Sequence, residues 1–362
     1  MLVPGLRRLW RDRHNLQLGT DPNRAVVLEL ADPALARVLE LLDGTRTDRG
    51  IARDAAALGV PEAATATLLD TLHQAGLAIR RHTLLPAGLP EPARRRLATE
   101  AAALAMRGRS PVSPAEAVRR RASARVVVGG YPRLAVPIAA VLAEAGIGHV
   151  DPALTGRVRA DDVGLGALLP ADSGRPRATA AADAVARVAP TATVQPLRDG
   201  TASVVVQAGA RRPAELAALA DARRGVAHLA VEIRDGIAVI GPLVPPAGSP
   251  CLNCFDLHRR DRDPGWPAIV AQLATGAEAA PPCSVTTALA AVGYAAEEVL
   301  AYVDGGAPDA VGTTIEVLAP GRERRRRWAP HPRCGCGADL TRRRRGGAGT
   351  PARAALRSDE VQ

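Results

Sequence analysis

The sequence contains no lysine: all 47 basic residues are arginine, in a chain of 362 residues with a formal net charge of +10. Aromatic residues are scarce as well, at 2%, with one Phe, three Trp and three Tyr. Since 47% of the residues are hydrophobic, the core has to be built from Ala, Val and Leu. Arginine without lysine, beside abundant Ala, Gly and Pro, reads as the composition of a GC-rich coding sequence. That reading weakens the net charge as evidence for a nucleic-acid partner. No window approaches the ~20 consecutive apolar residues of a membrane-spanning helix. The opening MLVPGLRRLWRDRH has no apolar run of the secretory kind. A cytoplasmic location, where thiols stay reduced, is therefore expected. The odd number of cysteines, five, also argues against a disulfide framework.

What is present divides into four stretches. Residues 1–85 read as a small α+β unit. LQLGT (16–20) and AVVLEL (25–30) predict two short strands joined by an Asp21-Pro22-Asn23 turn. Three short helices follow. The first carries Leu35, Val38, Leu39 and Leu42; the second is capped by Thr47; the third opens at Pro61 and carries Leu68, Leu69 and Leu72. LAIRR then predicts a final wing strand, completing a winged-helix domain. Residues 86–122 read as a linker with a bridging helix. From 123 to 340, apolar strands alternate with helices (ARVVVGG, IGHVD, SVVVQAG, HLAVEIRDG, IAVIGPLV, GTTIEVLAP). That pattern predicts an α/β, Rossmann-like domain with a mainly parallel sheet. A helix is expected over PAELAALADARRG and a long one over CSVTTALAAVGYAAEEVLAYVDGG. The tail, 341–362, has no apolar period and is expected to be disordered.

Two constellations carry chemistry. In VVVGGYPRLAVPIAAVLAEAGIGHVD, a strand ends at Gly129-Gly130, a helix follows, and a second strand ends in Asp151. In a nucleotide site the glycines admit phosphate to backbone N–H groups and the acid holds a ribose hydroxyl. Here the third glycine of the usual pattern is replaced by Arg133 or Leu134, and Tyr131 and Pro132 line the phosphate position. A degenerate cofactor site at Gly129, Gly130 and Asp151 is expected, without ATP. The second constellation is Cys251-x2-Cys254 with Cys334-x-Cys336: four thiolates for one tetrahedral, structural Zn2+. A redox pair is the rival, and His258 and His331 are alternative ligands. Cys283, at the start of the long helix, is a weak candidate for a catalytic nucleophile beside its plainer reading as a small buried residue.

These residues carry a resemblance. The altered glycine loop, Val150-Asp151, EIRDGIAVIGPLV leading into SPCLNC, and the late cysteine pair resemble the ThiF/ubiquitin-activating-enzyme superfamily. SPCLNCFDLHRRDRDPGWP with HPRCGCG resembles, more narrowly, the actinobacterial cyclodehydratase partner proteins of bacteriocin biosynthesis. Those proteins bind the leader peptide of a thiazole/oxazole-modified precursor. The resemblance implies an adaptor that is not catalytic alone, presenting a precursor to a YcaO-type enzyme or pairing with a second copy of itself. It implies that a leader peptide adds as a strand at Val26, Val27 and Leu28 and packs on the third helix, with Leu68, Leu72 and His73 as candidates. Active superfamily members adenylate a carboxylate with ATP. Gln207 stands here where they place a metal-binding aspartate, and the Asn and Arg expected after Asp151 are missing. An active adenylyltransferase and a winged-helix DNA-binding regulator are the alternative functions.

Overall fold

The computed structural model describes residues 1–108, 111–197, 201–209, 225–275 and 281–336. The N-terminal part begins with a three-stranded antiparallel sheet in the order β1 (Arg8–Trp10), β2 (Asn15–Leu18), β3 (Val26–Glu29). Leu16 and Leu18 alternate inward from β2. They join Leu28, Leu30, Val38, Leu39, Ile51, Leu68 and Leu72 in one apolar cluster. The helices over this face are α1 (Leu35–Val38), α2 (Asp48–Ala57) and α3 (Glu62–Gln74). Thr47 caps α2 by accepting the Gly50 N–H at 3.1 Å, satisfying a first-turn donor.

Two expectations for this part need correction. Arg8–Trp10 is an additional strand, which its RLW sequence did not reveal. No wing strand forms at LAIRR: Ala78 makes a single bridge to Leu2, and Arg81–Leu84 is a helical turn, α4. The N-terminus takes the place a wing would have, with Val3 N–H donating to Leu77 O at 2.9 Å. The 86–122 stretch holds two helices, α5 (Glu91–Arg107) and α6 (Pro114–Ser123).

The larger sheet has seven strands in the order β10-β9-β8-β7-β6-β4-β5. They are β4 (Arg125–Gly130), β5 (His149–Ala153), β6 (Val204–Ala208), β7 (Ala227–Arg234), β8 (Ile237–Val244), β9 (Thr313–Ala319) and β10 (Arg322–Arg327). β5, β4, β6 and β7 are parallel, while β7 to β10 are antiparallel. The sheet is mixed rather than mainly parallel, and the turns explain why. β7 and β8 are joined by Asp235-Gly236 alone, both at positive φ (50° and 81°), a two-residue hairpin turn. A parallel pair needs a crossover that two residues cannot make.

The remaining helices are α7 (Pro132–Glu144), α8 (Arg177–Val188), α9 (Leu252–Arg262), α10 (Trp266–Thr275) and α11 (Val285–Val303). α7, α8 and α11 bury Ala, Val, Leu and Ile against the sheet in one large core. Arg121 of α6, 2% exposed, ties the bridging helices to this core. It forms a bidentate pair with Asp304 (2.9 and 2.7 Å) and reaches Glu100 at 2.7 Å. The helix expected over PAELAALADARRG and the tail from 341 lie outside the described residues. No described helix is long and apolar enough to cross a membrane.

Candidate functional site

The four paired cysteines converge. Cys251 is the N-cap of α9 and Cys254 lies in its first turn, so the x2 spacing places both sulfurs at one helix end. Cys334 and Cys336 come from the loop after β10. The Sγ–Sγ separations are 4.0 Å (Cys251–Cys254), 3.6 Å (Cys251–Cys334) and 3.6 Å (Cys254–Cys336), and all four sulfurs lie within 4.8 Å of one another. A tetrahedral Zn–S bond near 2.3 Å implies sulfur–sulfur edges of about 3.8 Å. The cluster is thus compatible with zinc. The close contact of two thiols also splits their acidities, raising Cys251 and lowering Cys254, the one that accepts.

Neither histidine joins the sulfurs. His331, 2% exposed, has its Nε2 at 2.8 Å from Asp261 Oδ2, and its Nδ1 accepts the Arg333 N–H at 3.2 Å. His258 donates from Nε2 to Ala329 O at 2.9 Å. Both instead belong to a packed shell around the cluster. The only Phe of the chain, Phe255, stacks on Trp328 at 4.7 Å. Arg259 lies over Trp266 at 4.9 Å and Trp328 at 5.8 Å. Trp266 Nε1 donates to Asp256 at 3.2 Å. A chain with so few aromatics has concentrated them here, where cation–π and stacking contacts hold α9, α10 and the 328–336 loop together. The charged DLHRRDR run supplies this shell; Trp328, lying after an arginine run, gave no sign of it in the sequence.

The glycine-loop region lies at the carboxyl end of the parallel strands. Gly130, at φ 111°, has no room for a side chain: a Cβ there would stand 1.9 Å from Ala208 O. Its glycine is demanded by strand packing. Tyr131 lies against Gly209, where a Cβ would come within 1.8 Å of the ring. Asp151, 9% exposed, accepts the Leu197 N–H through Oδ2 at 2.8 Å. Arg133 donates to Val163 O at 3.0 Å. Gln207, on β6 beside Gly129, is 9% exposed, and its Oε1 has no partner among the described residues. Gly129 and Gly130 end β4, and Asp151 lies on the neighbouring β5 opposite Val127, with the acid and Arg133 hydrogen-bonded within the chain. Cys283 precedes the Ser284 cap of α11, contacts Gly236 O at 3.8 Å and packs on the core. Burial pushes its thiol up, the wrong direction for a nucleophile.

The candidate peptide residues separate. Leu28, Leu68 and Leu72 are core, at 7%, 6% and 0% exposed. Val26 is half-buried, and Val27 is exposed on β3, a free sheet edge. His73 instead lines a groove of about 670 Å³ between α2 and α3, with Asp48, Arg53, Leu69 and Asp70.

No family model matches this sequence, and no curated protein matches it. Solved structures do. The crystal structure of E. coli MccB with ATP aligns with a TM-score of 0.66 at 15% identity, covering 93% of this chain and 98% of that one. The microcin C7 biosynthetic enzyme MccB in complex with N-formylated MccA aligns at 0.65 and 14% identity, covering 93% and 98%. The crystal structure of PaaA aligns at 0.67 and 14% identity, covering 89% and 98%. Across nearly its whole length the chain shares the fold of E. coli MccB, and it carries a four-cysteine cluster compatible with zinc.

Proposed function

We propose that this protein is a peptide-binding adaptor in the biosynthesis of a ribosomally made, modified peptide, presenting a precursor to a separate YcaO-type enzyme. The observation that carries this reading is the N-terminal sheet, whose β3 edge has no partner strand among the described residues and exposes Val27. A free edge offers main-chain donors and acceptors to an extended peptide, as strand addition requires. MccB, which shares the fold, has been crystallised with the MccA peptide, which supports a peptide as the partner. Residues 1–85 would be the recognition domain, 86–122 the bridge and 123–340 the ThiF-like body. Four sulfur ligands leave no open coordination position, so zinc bound there would brace the body without catalysis.

Titration calorimetry with the precursor peptide tests this. Binding that persists after ATP is removed is expected; no binding to any precursor encoded beside the gene would end the adaptor reading. The second reading, an ATP-dependent adenylyltransferase, is favoured by the fold shared with ATP-bound MccB. It requires Asp151 to release Leu197 and Arg133 to release Val163. ATP–pyrophosphate exchange that disappears in Asp151→Ala would establish it. DNA binding is the weakest reading, since α3 exposes Glu62, Asp70 and His73 and no arginine.

A further inference from the structure

The N-terminal sheet has a second free edge, β1, whose chemistry differs from that of β3. β1 pairs only with β2, in the register Arg8↔Leu18, Leu9↔Gln17, Trp10↔Leu16. Cross-strand partners point to the same face of a sheet. Leu16 and Leu18 face the core and are 2% and 0% exposed. Trp10 and Arg8 therefore lie on the core-side face too, yet Trp10 is 51% exposed. Trp10 thus leaves a half-exposed apolar ledge at the sheet edge, beside Arg8. Leu9, 43% exposed, stands on the opposite face. In a chain with three tryptophans, the other two half-buried around the cysteine cluster, this exposure is exceptional.

The ledge is framed by arginines. Arg7, Arg8, Arg11 and Arg13 are all exposed, and none has an ion pair among the described residues. The contrast with β10, the other arginine-rich edge, is informative. There Arg326 is paired with Glu316 at 2.8 Å and Arg325 with Asp309 at 2.6 Å, which compensates part of its charge. At β1 the one nearby acid, Asp12, is occupied with the His14 and Asn15 N–H groups at 2.8 Å. Arginine and tryptophan are the residue types that dominate binding hot spots.

We propose that the β1 edge is a docking strand for an acidic, extended polypeptide segment. The segment's backbone pairs with β1, its carboxylates meet Arg7, Arg8, Arg11 and Arg13, and an apolar side chain covers Trp10. The proposal is independent of the precursor peptide proposed for β3.

A short fluorescein-labelled peptide alternating Glu with Val and Leu is the probe, with its Lys-for-Glu analogue and single-stranded DNA as comparisons. Anisotropy should show salt-sensitive binding of the acidic peptide. The unlabelled peptide should shift the Trp emission of the wild type to the blue but not that of Trp10→Phe. Trp10→Ala and Arg8→Glu should each weaken binding by about tenfold or more, and Val27→Ala on β3 should leave it unchanged. Circular dichroism checks that each variant is folded. The proposal is overturned by no binding of the acidic peptide, by equal binding of the Lys analogue, by tighter binding of DNA, or by loss in Val27→Ala but not in Trp10→Ala. Loss confined to Val27→Ala would place the acidic peptide on β3 instead, while the precursor itself is tested separately by calorimetry.

Discussion

Cys254 shows how much rests on single side chains. It is fully buried, and its sulfur stands between those of Cys251 and Cys336. Metal analysis of the purified protein is expected to find about one zinc per chain. Cys254→Ser should abolish it, whereas Cys283→Ser, outside the cluster, should leave it intact. Glu298 of α11 makes a second prediction. It is 4% exposed and accepts the Ala310 N–H at 2.8 Å. Burial pushes its carboxyl from the ordinary 4.5 up to about 7. Between those values the folded chain holds a proton that the unfolded chain has released, so stability falls as pH rises through that window. Thermal melts of Glu298→Gln across the window should lose this component; a slope identical to wild type would show that Glu298 does not cause it.

Among the elements, α6 is the hinge of the assembly, because Arg121 meets α5 through Glu100 and the end of α11 through Asp304. Removing one partner of a buried pair leaves the other charge unpaired. Arg121→Ala should therefore cost roughly 3–5 kcal/mol, about 5 °C in Tm. Arg119→Ala, whose pair with Glu116 lies at the surface, should leave the melting temperature nearly unchanged. Most of these elements were legible in the sequence. Buried strands announced themselves as short apolar runs, and glycines marked the ends of α2, α3 and the long helix. β1 and β10 escaped because edge strands need no apolar alternation, and RLW and RERRRR show none. Apolar runs alone do not distinguish parallel from antiparallel pairing; the Asp235-Gly236 hairpin turn makes β7 and β8 antiparallel.

For the whole molecule, the cysteine cluster is the point where α9, the loop beyond β10 and the aromatic shell meet. A chelator strong enough to strip the ion should change the near-ultraviolet dichroism, since Phe255, Trp266 and Trp328 all pack in that shell. An unchanged spectrum would mean that stacking alone orders the region. The apolar cluster of the N-terminal sheet is separate from the main core. The peptide binding proposed for that sheet is therefore expected to survive chelation.

The sequence by itself determined the alternation of strands and helices, the two cysteine pairs and the altered glycine loop. Each of these is written in local spacing, which the chain must obey wherever it folds. Only the tertiary structure decided that the sulfurs from positions 251 to 336 meet, because the intervening segment must close first. Only it turned Leu68 and Leu72 inward, engaged Asp151 with Leu197, and left Trp10 half-exposed. Those outcomes depend on which faces pack together, and neighbours along the chain do not encode that.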